Sequence, residues 1–258
     1  PRKSFAERRR LFQMPHSSWD DYNRRAVSAG GGVFLRSSKK IVLAKPAALM
    51  LGIPLGVASG EEVVRSILKM KVDLLYNGGI GTYVKAVWER NSDVGDPSND
   101  RVRINAEELR CRIVGEGGNG GFTQAARIEF SKRGGRINSD AVDNSAGVDL
   151  SDHEVNLKIL LRGQGVLGAR RQRILRRLSG PICKSVLMDN TLQSRILSLE
   201  EWRSRRQIGD YPRLMDKLFS AGVGDACTWG AGGADPAGGL SREMEGLPSD
   251  HELAQRAK

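Results

Sequence analysis

The chain has 258 residues and a formal net charge of +11, long enough to bury a sizeable core in one large domain or two small ones. No run of about eighteen uncharged apolar residues occurs, and PRKSFAERRR at the start has no apolar stretch behind its charges, so neither a membrane span nor a secretory leader is expected. Cys111, Cys183 and Cys227 are far apart without a C-x-x-C, which argues against a disulfide framework or a zinc site and for a reducing, cytoplasmic setting.

Ser4-Phe-Ala-Glu7 and Ser59-Gly-Glu-Glu62 each set a hydroxyl three residues before a glutamate, the reciprocal arrangement that satisfies free amides at a helix start. Residues 17–27 offer another capped start, GGGVF (30–34) a turn, and residues 46–52 a short helix with Pro46 in its first turn. EEVVRSILKMK, from residue 61, has helical periodicity, and VDLLY (72–76) is a short apolar strand that stops at NGGIG (77–81). Residues 87–108, rich in turn formers and charge, read as a surface excursion. The order then resumes with CRIV (111–114), GEGGNGG (115–121) and a helix near 123–133. It continues with a strand at 136–138, a third Gly/Asn turn at 143–148 and a helix from about Ser151. Strands alternating with helices imply an α/β fold, with a parallel, partly Rossmann-like sheet and flanking helices over residues 1–162. Strand signals vanish afterwards, so residues 163–258 are expected to be a helical C-terminal tail. Its Gly/Ala-rich stretch at 220–242 reads as a flexible loop, and a last capped turn is expected at 249–256.

Ligands of open parallel sheets bind beyond the carboxyl ends of the strands, where all three glycine turns should lie. Asn77, Asn119 and Asn144 within them both donate and accept hydrogen bonds, which suits a crevice for a polar, planar ligand. The alternative is that Gly and Asn are simply common in turns. VGEGGNGGFTQ (114–124) also contains G-x-G-x-x-G at Gly115, Gly117 and Gly120, with Asp140 twenty residues on, the spacing of a pyrophosphate loop and its ribose-binding acid. Against that reading, Glu116 places a negative charge inside the loop and the helix begins only at Thr123.

The positive charge concentrates in residues 8–10 and from Arg162 to Arg177, where a basic helix is expected. Aromatic residues make up 5% of the chain and do not interleave with that run, which argues against single-stranded nucleic acid and for a solvated helical face. His153 has no second histidine within helical reach, so no metal site is expected and a polar or capping role fits it. Cys111 reads as a buried small hydrophobe.

The runs VDLLYNGGIGTYVKA, RCRIVGEGGNGGFTQAARIEF and GGRINSDAVDNSAGVDLSDHEVNLKILL, with RLFQMPHSSWDDYNRRAVSAGGGVF before them, closely resemble the large bacterial NAD-specific glutamate dehydrogenases. VLMDNTLQSRILSL and LPSDHELAQR resemble pieces of that family's helical C-terminal region, whereas residues 162–172 and 220–242 depart from it. The resemblance implies NAD as cofactor, L-glutamate and 2-oxoglutarate as ligands, and a homo-oligomeric enzyme. It further implies that Asn77 and Gly78 border the nicotinamide ribose, that Asn119 faces the nicotinamide, and that Ser151, with Asn144 opening the same turn, holds the substrate carboxylate. A plain helix cap, completed by Glu154, is the other reading of Ser151. On the same resemblance the phosphate loop and the Lys and Asp of hydride and proton chemistry lie upstream of these runs. No catalytic residue is therefore assigned here, and the chain alone is expected to be inactive. A non-catalytic remnant of the fold and a basic nucleic-acid module are the competing expectations.

Overall fold

Of the two Ser-x-x-Glu boxes only the second starts a helix. Ser59 caps α3 (Gly60–Leu68): its side chain accepts from the Glu62 amide, and the Glu62 carboxylate accepts from the Ser59 backbone N–H at 2.7 Å. Ser4 instead lies inside α1 (Arg2–Gln13), with its hydroxyl 3.2 Å from that of Tyr22. Glu7 is drawn away from capping by Arg10, which donates to both carboxylate oxygens at 2.6 and 2.9 Å, and by the Asn23 amide at 2.7 Å. Ser18 caps a single 3₁₀ turn, Trp19–Asp21. The computed structural model describes residues 2–54 and 56–222, in two compact units, Pro1–Asp140 and Ala141–Lys258. From residue 223 the expected Gly/Ala loop, and all of the capped turn at 249–256, lie outside the described residues.

In the first unit β1 (Ile41–Val42) pairs antiparallel with β2 (Val57–Ala58), on either side of α2 (Lys45–Leu51), which has Pro46 in its first turn. β3 (Leu74–Asn77), β6 (Ile113–Glu116) and β7 (Arg136–Ile137) form a parallel sheet in the order β3-β6-β7. The three strands expected from the apolar runs therefore share one sheet. Leu74 stands opposite Ile113, and Val114 opposite Ile137. Leu75, Val114 and Ile137 join a core with Ala126 and Phe130 of α5 (Gln124–Lys132), while Leu74, Tyr76 and Ile113 stay exposed on the other face.

A second parallel pair, β4 (Val84–Lys85) and β5 (Ile104–Asn105), joins the same core through Val84 and Ile104 and bridges to Phe122. This corrects the second half of the reading of residues 87–108 as a surface excursion: residues 87–98 are exposed or half-buried, but Asn99, Val102, Arg103, Ile104 and Ala106 are all buried. The charge there turns inward because it is satisfied inside. The Arg103 side chain, wholly inaccessible, donates to Thr82 O at 2.9 Å, Asn91 Oδ1 at 3.1 Å and Asp96 O at 2.6 Å, and also to Asp100. Asp96 follows the short helix α4 (Asn91–Val94) and accepts from the Thr82 amide, the Ser98 hydroxyl and the Asn99 side chain.

The segment after β7 is helical: α6 (Asp140–Asp143) is followed by α7 (Ser145–Gly163). The expected third glycine turn at 143–148 is thus corrected to a helix junction, because Gly147 keeps helical geometry and only Asn144 interrupts the helices. The second unit continues with α8 (Gly168–Ser204), which contains Pro181, and α9 (Asp210–Ser220). Ser145 Oγ lies 3.0 Å from Asn190 Oδ1, so α7 and α8 run antiparallel from the turn at 164–167.

Glu7 is held down to about 2 by the Arg10 side chain and the Asn23 amide, and Asp96 to about 2 by Ser98, the Thr82 amide and Asn99. Both values lie below the ordinary 4.5 and 3.8. Depressed carboxylates contribute stability above their unfolded values and lose it as pH falls through the folded ones. The melting temperature should therefore decline between pH 4.5 and 2, and Glu7→Gln or Asp96→Asn should flatten that decline. Acid melting curves identical to the parent chain in both variants would refute the assignment.

Candidate functional site

Because β3 and β6 are parallel neighbours, the loops that leave their carboxyl ends, 77–81 and 115–121, must meet at one edge of the sheet. They meet backbone to backbone. A Cβ on Gly118 would lie 2.2 Å from the Gly79 carbonyl oxygen, and one on Gly121 would lie 1.9 Å from Asn77 Nδ2. Glycine is therefore required for the loops to pack on each other. Tyr76, at the end of β3, covers Gly115 and Gly117 from the exposed face. Tyr83 N donates to Gly121 O at 2.8 Å, and Thr82 Oγ1 to Gly120 O at 2.7 Å.

A buried charge network underlies the second loop. The Glu116 side chain, wholly inaccessible, points inward and receives two hydrogen bonds from Arg127 of α5, Nε to Oε1 at 2.6 Å and Nη2 to Oε2 at 2.9 Å. Burial pushes the Glu116 carboxyl above the usual carboxylate value, and the Arg127 guanidinium opposes that rise. Arg127 Nη2 also reaches Asp140 Oδ1 at 2.9 Å, and Asp140 Oδ2 accepts the Gly120 N–H at 2.7 Å. Asp140 thus holds the loop's own backbone and Arg127, which accounts for its spacing from the glycines without a ribose. Gly120 sits at φ +64, the left-handed region that favours glycine. Thr123 caps α5 by accepting from the Ala126 amide at 3.1 Å and donates to Glu89 at 2.6 Å, so its hydroxyl is engaged on both sides.

The structure brings Asn77, Gly78 and Asn119 to this edge. Asn119 and Gly78 are exposed; Asn77 is half-buried, and its Nδ2 is shielded from solvent with no hydrogen-bond partner among the described residues. Asn144 and Ser151 belong to the second unit. Asn144 is at the N-cap of α7, and Ser151 lies seven residues on, exposed within the helix. The expectation that a helix begins at Ser151 is corrected: α7 already starts at Ser145, so Ser151 is neither a cap nor next to free helix-start amides. His153 is 3.4 Å from Asp149, one turn earlier, and the buried Cys111 thiol is pushed up by desolvation. Arg170, Arg173, Arg176 and Arg177 of α8 are exposed, as in a solvated face. Among the described residues no cluster of His, Cys, Asp and Glu could hold a metal, and no helix is long and apolar enough to cross a membrane.

Arg127 and Thr82 escaped the sequence reading as parts of this site, and Asp140 was picked out by its spacing but for a different role, the ribose rather than the loop's own backbone. One signal was present: a glutamate inside a glycine loop needs a cation if it is buried, and Arg127 lies one turn beyond the Thr123 cap. A cavity of about 420 Å³ lined by Leu109, Cys111, Phe130 and Arg133 opens instead near the amino ends of β6 and β7, away from the loops.

These features define an α/β protein whose candidate site lies beyond the carboxyl ends of parallel strands. Residues 1–200 match the family described as bacterial NAD-glutamate dehydrogenase, catalytic domain, and the chain belongs to that family. It is 44% identical over 260 residues to the NAD-specific glutamate dehydrogenase of Halomonas elongata, covering 99% of this chain and 15% of that protein. The enzymes of the same name from Pseudomonas aeruginosa and Mycobacterium tuberculosis are 44% and 42% identical, over 98% and 99% of this chain and 15% of each relative. The chain therefore spans about 15% of the length of the curated relatives it matches.

Gly118→Ala must part the two loops and should destabilise the first unit by about 1–3 kcal/mol, as overpacking generally does. Gly79→Ala, whose own Cβ meets nothing within 4 Å, should be close to neutral. Urea denaturation of both variants checks the contrast, and equal midpoints would sink it.

Proposed function

We propose that this chain is the distal part of the nucleotide-binding catalytic domain of an enzyme that uses NAD to convert L-glutamate to 2-oxoglutarate and ammonia. The observation that carries the reading is the packing of two Asn/Gly loops at the carboxyl ends of adjacent parallel strands, in a chain of this family. On this reading the three strands are part of a Rossmann-like sheet. Residues 1–162 then belong to the catalytic domain and residues 163–258 to a helical C-terminal region, in a cytoplasmic homo-oligomer.

The donor set fits the cofactor. A primary amide such as that of exposed Asn119 offers one acceptor and two donor hydrogens, complementary to the carboxamide of nicotinamide. Gly78 is exposed in the neighbouring loop and, with Asn77, borders the ribose. NAD supplies the hydride acceptor; the protein binds and orients. Ser151 donates its hydroxyl to the substrate carboxylate from the exposed side of α7, and Asn144 lies two turns back on the same side of that helix. The groups that move protons belong to other parts of the longer protein.

Two outcomes are expected. The purified 258-residue chain should show no glutamate-dependent reduction of NAD, followed at the absorbance of the reduced nicotinamide, and clear turnover would overturn the division of labour proposed here. In the longer enzyme, Asn119→Ala should raise the KM for NAD and Ser151→Ala the KM for glutamate. A lost hydrogen bond to a charged carboxylate is worth about 1.5–3 kcal/mol, roughly ten- to a hundredfold in kcat/KM. Because Ser151 is exposed inside a helix, alanine there does not weaken the fold, and unchanged glutamate kinetics would remove it from the site.

A further inference from the structure

We infer that Asp140 and Thr82 are positioning residues that fix the Gly118–Gly120 crest, and so set the angle at which Asn119 meets the cofactor. The inference rests on the proposed contact of Asn119 with nicotinamide and adds what makes that contact selective. The peptide groups of Gly120 are gripped from two sides. Its N–H is taken by Asp140 Oδ2 at 2.7 Å, and its carbonyl oxygen by Thr82 Oγ1 at 2.7 Å. Neither grip depends on a free side chain. Asp140 is aimed by Arg127, whose guanidinium is locked by two bonds to the wholly buried Glu116, and Thr82 is anchored by its own N–H to Asp96 Oδ2 at 2.8 Å. Gly120 itself occupies the left-handed region at φ +64 and, lacking a Cβ, can leave it at little steric cost once the grips are lost. Asn119, the preceding residue, is exposed at the crest; its carbonyl belongs to the peptide whose N–H Asp140 takes, and Thr82 holds the next peptide, so the two grips set the backbone from which Asn119 projects.

Two links of different chemistry act on the two successive peptide groups that flank the Gly120 Cα, which gives two independent ways to loosen the crest. Asp140→Ala removes the acceptor for the Gly120 N–H; Asp140→Asn keeps an oxygen in its place. Thr82→Val is isosteric and removes only the donor to Gly120 O. A misdirected Asn119 weakens cofactor use while leaving the glutamate side of the site alone. A merely structural loss would lower the amount of active enzyme and the apparent kcat without moving either KM.

The test is steady-state kinetics of the longer enzyme carrying Asp140→Ala, Asp140→Asn, Thr82→Val or Asn119→Ala, with melting curves on each. Asp140→Ala and Thr82→Val should each raise the KM for NAD about tenfold, the loss of one hydrogen bond, and leave the KM for glutamate within about twofold. Asp140→Asn should return the KM for NAD to within about threefold of the parent. If Asp140→Ala does not fold, Thr82→Val and Asp140→Asn carry the comparison. An unchanged KM for NAD in Thr82→Val and Asp140→Ala, beside a raised one in Asn119→Ala, overturns the positioning role and leaves the cofactor contact standing. An unchanged KM in Asn119→Ala overturns that contact and the positioning role with it.

Discussion

The bidentate pair between Glu116 and Arg127 is the interaction on which the rest of the site depends. A carboxylate with no solvent access is costly unless its charge is met and its lone pairs are used, and removing one partner of such a pair typically costs about 3–5 kcal/mol. The pair ties the end of the central strand β6 to helix α5, and through Asp140 it reaches the loop between them. One guanidinium thereby connects a strand end, a helix and the start of the next helical segment. The negative charge that argued against a phosphate loop is present, but it faces inward and is met by a cation. The acid that matched a ribose-binding position is committed to the loop itself.

Arg103 plays a comparable part on the other side of the first unit. Its guanidinium draws residues 82, 91, 96 and 100 around one buried cation, and this holds the turn-rich segment against β4 and β5. The two networks meet at Thr82, whose carbonyl accepts from Arg103 while its hydroxyl reaches Gly120. The first glycine loop is thus anchored by the buried Arg103 and the second by the half-buried Arg127. Their glycines remove the side chains that would keep the two backbones apart.

The parts of this architecture that were legible in the sequence are those set by local pattern. Short apolar runs ending in a glycine turn located β3 and β6, the short run after Gly134-Gly135 located β7, and alternation with helices gave their parallel order. The Ser59 box was legible because both of its partners are local. The same spacing at Ser4 misled, because Glu7 found partners in Arg10 and, sixteen residues away, Asn23. Residues 99–106 were misread because charge in a turn-rich segment normally signals solvent, and nothing local reveals that Arg103 meets its acceptors inside. The junction near Ser151 was misread for a related reason. Gly147 reads as a turn, yet the helix runs through it once Ser145 has started α7. Asn77 and Asn119 were singled out by their place after strands and Gly78 by the family resemblance, whereas Arg127, Asp140 and Thr82 act through contacts that only the folded chain creates.

The double grip on Gly120 also determines when disorder is lost. A glycine-rich loop has more conformational freedom to lose than any other kind, at about 1–2 kcal/mol for each backbone position fixed. Here that entropy is surrendered when β6, α5 and Asp140 come together, before any ligand arrives. A molecule that meets Asn119 therefore encounters a surface already set, and the free energy of the encounter is not spent on ordering the loop. The glycines so often taken as a mark of suppleness serve here as parts of a preorganised support.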